Sequence, residues 1–330
     1  MEQPTEVFDW IAQGRVSAGS EVLALDLAGI QPKAAQWRRL IDQMLLWCGA
    51  IALGASLIFF LAYNWQFMGR FAKFGLAEVA VLFALVACWK LGLENTAGKA
   101  SLLLASLCTG GLLALVGQTY QTGADTYELF RAWAIASLVW VMLAQLSAMY
   151  LFWLGLVNLS VFLYFQTFGG LFGFMFSSSH QLWTMLILNT LALLVWEWLR
   201  WRGVQHLQER WSARVVATVV GVLATMLMLE AIFNDGDRYH QRGQAANLLA
   251  MISYLVWASL TLWIYRRKVK DLFVLAGLVL SLIITLNAWI AREVLSHNEA
   301  EGFLLVGLMI IASSAVGGIW LKTMMKEIQS

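Results

Sequence analysis

The sequence predicts an all-α fold, a polytopic transmembrane bundle of about ten helices with a short helical head, and two observations carry that prediction. The first is composition: 60% of the 330 residues are hydrophobic and 13% are charged, whereas a soluble domain is about 25% charged. The second is spacing. Nearly uncharged runs recur along the chain, and each is long enough as a helix to cross a hydrocarbon core of about 30 Å. Because these runs are apolar on every side, they lack the alternation that a membrane barrel needs.

The ten runs cover residues 44–63, 72–91, 100–118, 131–149, 151–168, 182–199, 213–233, 246–265, 272–290 and 302–321. Only Ala148, Met149 and Tyr150 separate the fourth from the fifth, so this pair reads either as a tight hairpin or as one long helix with a re-entrant piece. FGGLFGF, residues 168–174, reads as an apolar turn. Three parts follow: a head at 1–43, the membrane domain at 44–321 and a tail at 322–330. The head is too short for a core of its own and reads as an amphipathic collar at the interface. Thr5 would cap a first helix and Ser17 or Ser20 a second, while Pro32 would open a third that runs through Trp37 into the first span. Its charged start is unlike a signal peptide, so the first span is expected to stay as an uncleaved anchor.

Lys and Arg collect in cytoplasmic loops. Arg200, Arg202, Arg210 and Arg214 join spans six and seven, and Arg266, Arg267, Lys268 and Lys270 join spans eight and nine. Both loops should therefore face the cytoplasm, together with both termini. The acidic or mixed segments around Asp125 and Glu128, Asp235 to Arg238, and Arg292 to Glu301 then lie outside, although Arg70 and Lys73 run against the pattern. The net charge of +2 gives no reason to expect nucleic acid. The lipid bilayer is the expected partner, with a small polar solute, a lipid headgroup or an envelope protein as further candidates.

With this orientation, uncommon polar residues gather at the outer ends of the spans. Tyr63, Asn64 and Trp65 close the first. Glu78 lies within the second, where a carboxylate is costly and usually faces a bundle interior, with Arg131, Lys73, Gln118 or Gln121 as partners. Gln118, Tyr120 and Gln121 follow the third span in GQTYQTGAD, where Gly117 and Gly123 would let the helix break. On a continuing helix the two amides would share a face. Arg131 opens the fourth span. Amides and an aromatic ring suit a neutral, hydroxyl-rich ligand or a headgroup, and they would equally cap a membrane helix.

Enzyme signatures are absent from the sequence: there is no HExxH, CxxC, phosphate-binding Gly-Lys loop, GxSxG or dinucleotide fingerprint. No catalytic residue, metal site or cofactor is expected, and the chain reads more readily as a non-enzyme. His180, His206, His240 and His297 lack ligand spacing, and Asp235–Gly236–Asp237 is only half of a calcium loop. Cys48, Cys88 and Cys108 fall inside spans and read as small core residues. The 17 Trp lie mostly near span ends, as an interfacial belt does.

LAYNW at the end of the first span, then GQTYQTGAD, then Arg-Ala-Trp opening the next helix, resembles the DUF2157 family of predicted bacterial membrane proteins. The resemblance is most specific over residues 10–150. It implies a bacterial inner membrane and emphasises Tyr63, Asn64, Trp65, Gly117, Gln118, Tyr120 and Gln121 without giving them roles. The expected function is that of an inner-membrane protein that binds or transports a small polar molecule or a lipid headgroup through an outward-facing polar cavity. The alternative is a non-catalytic envelope scaffold or sensor, in which the same polar residues satisfy one another. A membrane-embedded transferase, with only Glu78 and Glu230 as acids, ranks third.

Overall fold

A computed structural model describes residues 7, 10–17, 19–29, 33–169, 178–233, 241–295 and 299–329. Thr5, Pro32, the turn at 170–174, Asp235 to Arg238, His240 and His297 lie outside the described residues. All regular structure among those described is helical. A short helix α1 (Glu21–Leu27) precedes the ten long ones: α2 (Ala34–Tyr63), α3 (Arg70–Leu91), α4 (Thr96–Tyr120), α5 (Thr126–Ala144), α6 (Ser147–Gly169), α7 (Ser178–Trp201), α8 (Arg210–Phe233), α9 (Gln241–Trp263), α10 (Leu272–Leu295) and α11 (Glu299–Gln329). Ten helices among the described residues are long and apolar enough to span a membrane. The first takes in the last ten residues of the head, because Trp37, Leu40 and Ile41 continue its apolar pattern without a breaker.

The chain divides into two compact units, Met1–Leu115 and Val116–Ser330. In the first, small residues let helices approach closely, as membrane packing requires. A side chain at Gly54 would meet the Leu107 Cβ at 2.9 Å, and one at Gly111 would meet the Ile58 Cγ1 at 3.4 Å. The turn from α3 to α4 is tighter still. Gly92 takes φ +78°, and a Cβ at Gly98 would lie 2.0 Å from the Gly92 carbonyl oxygen, so only glycine fits there.

In the second unit the uncertain fourth and fifth spans are a hairpin. Gln145 ends α5 in the left-handed conformation at φ 45°, and α6 starts two residues later. Ala134, Ser137, Val141 and Ala144 recur every three or four residues on the buried face of α5, which is the pattern of a packed helical seam. The Trp153 indole N–H donates to the Ala134 carbonyl at 2.9 Å and the Ser160 hydroxyl to the Tyr127 carbonyl at 3.0 Å, so the two helices are tied along their length.

Further on, α7, α8 and α9 share a core of Leu186, Val220, Leu223, Leu227 and Tyr254. Polar ties cross it. Asn158 of α6 and Asn189 of α7 exchange amide hydrogen bonds of 3.1 and 2.6 Å, and each also donates to the carbonyl four residues back on its own helix. Thr225, Tyr254, Ser281 and Thr285 link α8, α9 and α10 through a buried run of hydroxyl contacts between 2.7 and 3.2 Å. At the outermost helix, a side chain at Gly317 of α11 would meet Val279 at 2.8 Å, which shows how close α10 and α11 come.

Candidate functional site

LAYNW closes α2 by backbone and side-chain capping together. The Asn64 amide side chain donates to the Phe60 carbonyl at 3.0 Å, as does its backbone N–H, while its own carbonyl accepts from Phe67 and Met68. Both donors fall on the one Phe60 carbonyl, and the Asn64 carbonyl, which a helix end would leave bare, is satisfied by the N–H groups of the turn that follows. Tyr63 is exposed. Trp65 turns back over Lys73, whose ammonium stands 3.5 Å from the ring centroid. Lys73 is buried, at 8% exposure, beside the cluster of Leu61, Ala77 and Leu115 that Trp65 packs against. The ring face supplies negative quadrupole to a cation removed from water.

Glu78 lies on the same helix, α3, eight residues past its start, or about 12 Å along the axis. Five residues from Lys73 is nearly one and a half turns, so the two side chains point to different faces and Lys73 does not serve as its partner. Glu78 is exposed, and no hydrogen bond or ion pair reaches it among the described residues.

The GQTYQTGAD segment belongs to the second unit. Helix α4 runs straight through Gly117 and ends at Tyr120, and the break comes at Gln121, in the left-handed region at φ 45°. Gly123 follows at φ 67°. The two glutamines therefore do not share a helix face. Gln118, Tyr120 and Gln121 are all exposed. Holding a non-glycine residue in that conformation costs about 1 to 2 kcal/mol. Arg131 is engaged locally: it pairs with Glu128 at 3.1 Å, one turn back on α5, and lies 5.6 Å over the Tyr127 ring.

The densest ionic site is one that sequence reasoning treated only as topology. Asp271, fully buried before the first turn of α10, accepts from the Arg210 Nε at 2.6 Å and the Arg214 Nε at 3.0 Å, and its Oδ1 takes the Phe273 backbone N–H at 3.0 Å. Burial alone would push its carboxyl up, but the Arg214 hydrogen bond and the Arg210 charge outweigh it and hold the carboxyl below the usual range. Arg210 also donates to the Val269 carbonyl at 3.3 Å. Glu197 at the end of α7 pairs with Arg200 at 3.3 Å and accepts from the Tyr265 hydroxyl at 3.3 Å. His206 stacks on Tyr150 with centroids 5.4 Å apart. The available signal was an acid placed just before an apolar run, opposite two arginines one turn apart.

Elsewhere in the second unit, Ser179 donates to Glu230 at 2.7 Å. Among the described residues no group of His, Cys, Asp and Glu is gathered to hold a metal ion. No curated protein and no solved structure matches the chain. Residues 8–150, which carry LAYNW with its Lys73–Trp65 contact and the Gln121 break, match the DUF2157 family, described as a predicted membrane protein.

Proposed function

We propose that this multi-span protein sits in the bacterial inner membrane with both termini in the cytoplasm and binds a small polar solute or a lipid headgroup from the outer side, without catalysing a reaction. The observation that carries the reading is Glu78, exposed on a membrane-spanning helix with no ion pair or hydrogen bond among the described residues. A carboxylate cannot face hydrocarbon at this depth without a cost of about 2.5 to 3.5 kcal/mol. Its face therefore meets water, a polar ligand or a polar partner surface. In the second unit, taken by itself, the exposed Gln118, Tyr120 and Gln121 present donors and acceptors of the kind a hydroxylated ligand uses. Arg131 is the exception: its pairing with Glu128 and Tyr127 is what the scaffold reading expects, so it is assigned to structure.

The test is accessibility of a cysteine at position 78 in a background lacking Cys48, Cys88 and Cys108. In intact spheroplasts a membrane-impermeant thiol reagent should label it, and glycerol or glycerol phosphate at high concentration should slow the labelling. A position 78 that stays unlabelled while Asp125→Cys labels would overturn the reading and leave the scaffold alternative.

A further inference from the structure

Helices α8 and α10 do not close on each other along their whole length. Small residues, Gly221 on one side and Ala276 and Gly277 on the other, leave a groove of about 540 Å³ floored by Trp257 of α9. A Cβ added at Gly277 would meet nothing within 4 Å. The walls open sideways, since Val222, Met226, Phe273 and Leu280 are about half exposed, at 47%, 50%, 53% and 57%. From Thr218 to Leu229 the groove follows α8 for about 16 Å, close to the half-thickness of a hydrocarbon core of about 30 Å.

Three of the four hydroxyls along the groove are already committed, and the fourth belongs to Thr261. Thr218 donates to the Arg214 carbonyl at 2.8 Å, Thr225 to the Gly221 carbonyl at 2.6 Å, and Thr225 and Ser281 bond each other at 2.7 Å. Apart from the single Thr261 hydroxyl, what remains to an occupant is hydrocarbon surface, which suits a chain and not a polar solute. The end of the groove at Thr218 and Phe273 is different. Arg214 lies one turn from Thr218 and stands 5.5 Å over the Phe273 ring. Its Nε is spent on Asp271, but its terminal nitrogens have no hydrogen-bond partner among the described residues, and its side chain is 41% exposed. Arg210 is shared between Asp271 and Glu197, Arg214 leans on the same Asp271, and Arg266, Arg267 and Lys270 line a neighbouring opening with Glu327 of α11. The surplus is positive, and a guanidinium fork with free terminal nitrogens matches phosphate.

We propose that the groove between α8 and α10 holds one acyl chain of an anionic phospholipid whose phosphate meets the terminal nitrogens of Arg214. The lipid enters sideways from the leaflet at the basic end of the spans, with its chain on Trp257 and its headgroup among the basic loops. This site is independent of the Glu78 face.

Native mass spectrometry of the full chain in detergent, titrated with phosphatidylglycerol or phosphatidylethanolamine, provides the test. One phosphatidylglycerol should stay bound, about tenfold more tightly than phosphatidylethanolamine. Gly277→Leu, which fills empty space, should weaken it at least tenfold, and Arg214→Gln should abolish the preference between the two lipids while a chain still binds. Equal retention by Gly277→Leu and the parent would overturn the proposal, as would equal affinity for the two lipids. So would a dimer that dissociates on the Gly277→Leu change, because a second copy would then fill the groove. A second readout needs no variant. Phosphatidylglycerol with a photoreactive group in its acyl chain should label residues 222–229 or 277–284 of the parent protein, and labelling confined to other segments would refute the site.

Discussion

Lys73 and Glu78 show how the same helix treats two charges. The lysine is buried and sets its ammonium on Trp65, which packs on the Leu61, Ala77 and Leu115 cluster, while the glutamate is exposed and has no partner among the described residues. A buried cation that depends on one aromatic face makes that face energetically important. Trp65→Ala should destabilise the protein by about 3 to 5 kcal/mol, from lost ring volume together with the lost cation–π contact. Trp65→Phe should recover most of this, because it keeps a ring face. Thermal unfolding in detergent checks both, and a Trp65→Ala protein with an unchanged midpoint would contradict the argument. The tryptophan was legible in the sequence as an interfacial residue, and the lysine as an objection to the topology. Their contact was not, since it depends on the chain reversing between Asn64 and Gly69.

At the scale of elements, the helices are joined by a few polar ties set in an apolar background. Asn158 and Asn189 make the clearest of these, because all four amide donor bonds are formed and Asn189 is 1% exposed. Removing one member strands the other's amide in a low-dielectric interior. Asn189→Leu is expected to cost about 1 to 3 kcal/mol. The double variant Asn158→Leu with Asn189→Leu should cost less than that single change, since hydrocarbon then meets hydrocarbon. A double-mutant cycle on thermal or denaturant unfolding reads the difference, and simple additivity would refute a direct coupling. Asn158 stood out in the sequence as a polar residue within a span, but its partner, thirty-one residues away, was no more visible than any other amide. Helix ends were read more accurately than polar contacts. Apolar length fixes most span ends within about five residues, although α2 starts ten residues before its predicted span and α11 ends eight residues after its own, whereas the exact break at Gln121, four residues past Gly117, depends on which backbone groups find partners.

For the whole molecule, the second unit is pinned at its basic end by Asp271, Arg210, Arg214, Glu197 and Tyr265, which connect the ends of α7 and α9 to the starts of α8 and α10. The folded carboxyl of Asp271 titrates below its ordinary value of about 3.9. Its contribution to stability is therefore fully present above about pH 4 and is lost as the pH falls through the folded value. Asp271→Asn should lower stability at pH 7 by about 3 kcal/mol, because two arginines lose their buried counter-charge. The gap between variant and parent should narrow as the pH drops below about 4. Unfolding midpoints measured from pH 3 to pH 8 test this, and a gap independent of pH would show that Asp271 acts by shape and not by charge.

The sequence by itself determined the fold class, the ten spans and the family resemblance. Hydrophobic length and the scarcity of charge leave a chain in lipid almost no alternative to helices, and the LAYNW and GQTYQTGAD motifs lie in plain order. Tertiary structure alone decided which face each polar side chain takes: Lys73 inward on Trp65, Glu78 outward, Arg131 onto Glu128, and Arg210 and Arg214 onto Asp271. Hydropathy records how much a segment prefers lipid, but not the azimuth of a residue on its helix or the neighbour it meets. Those are fixed by packing between helices distant in sequence, and the small residues Gly221 and Gly277 shape a groove only when α8 and α10 lie side by side.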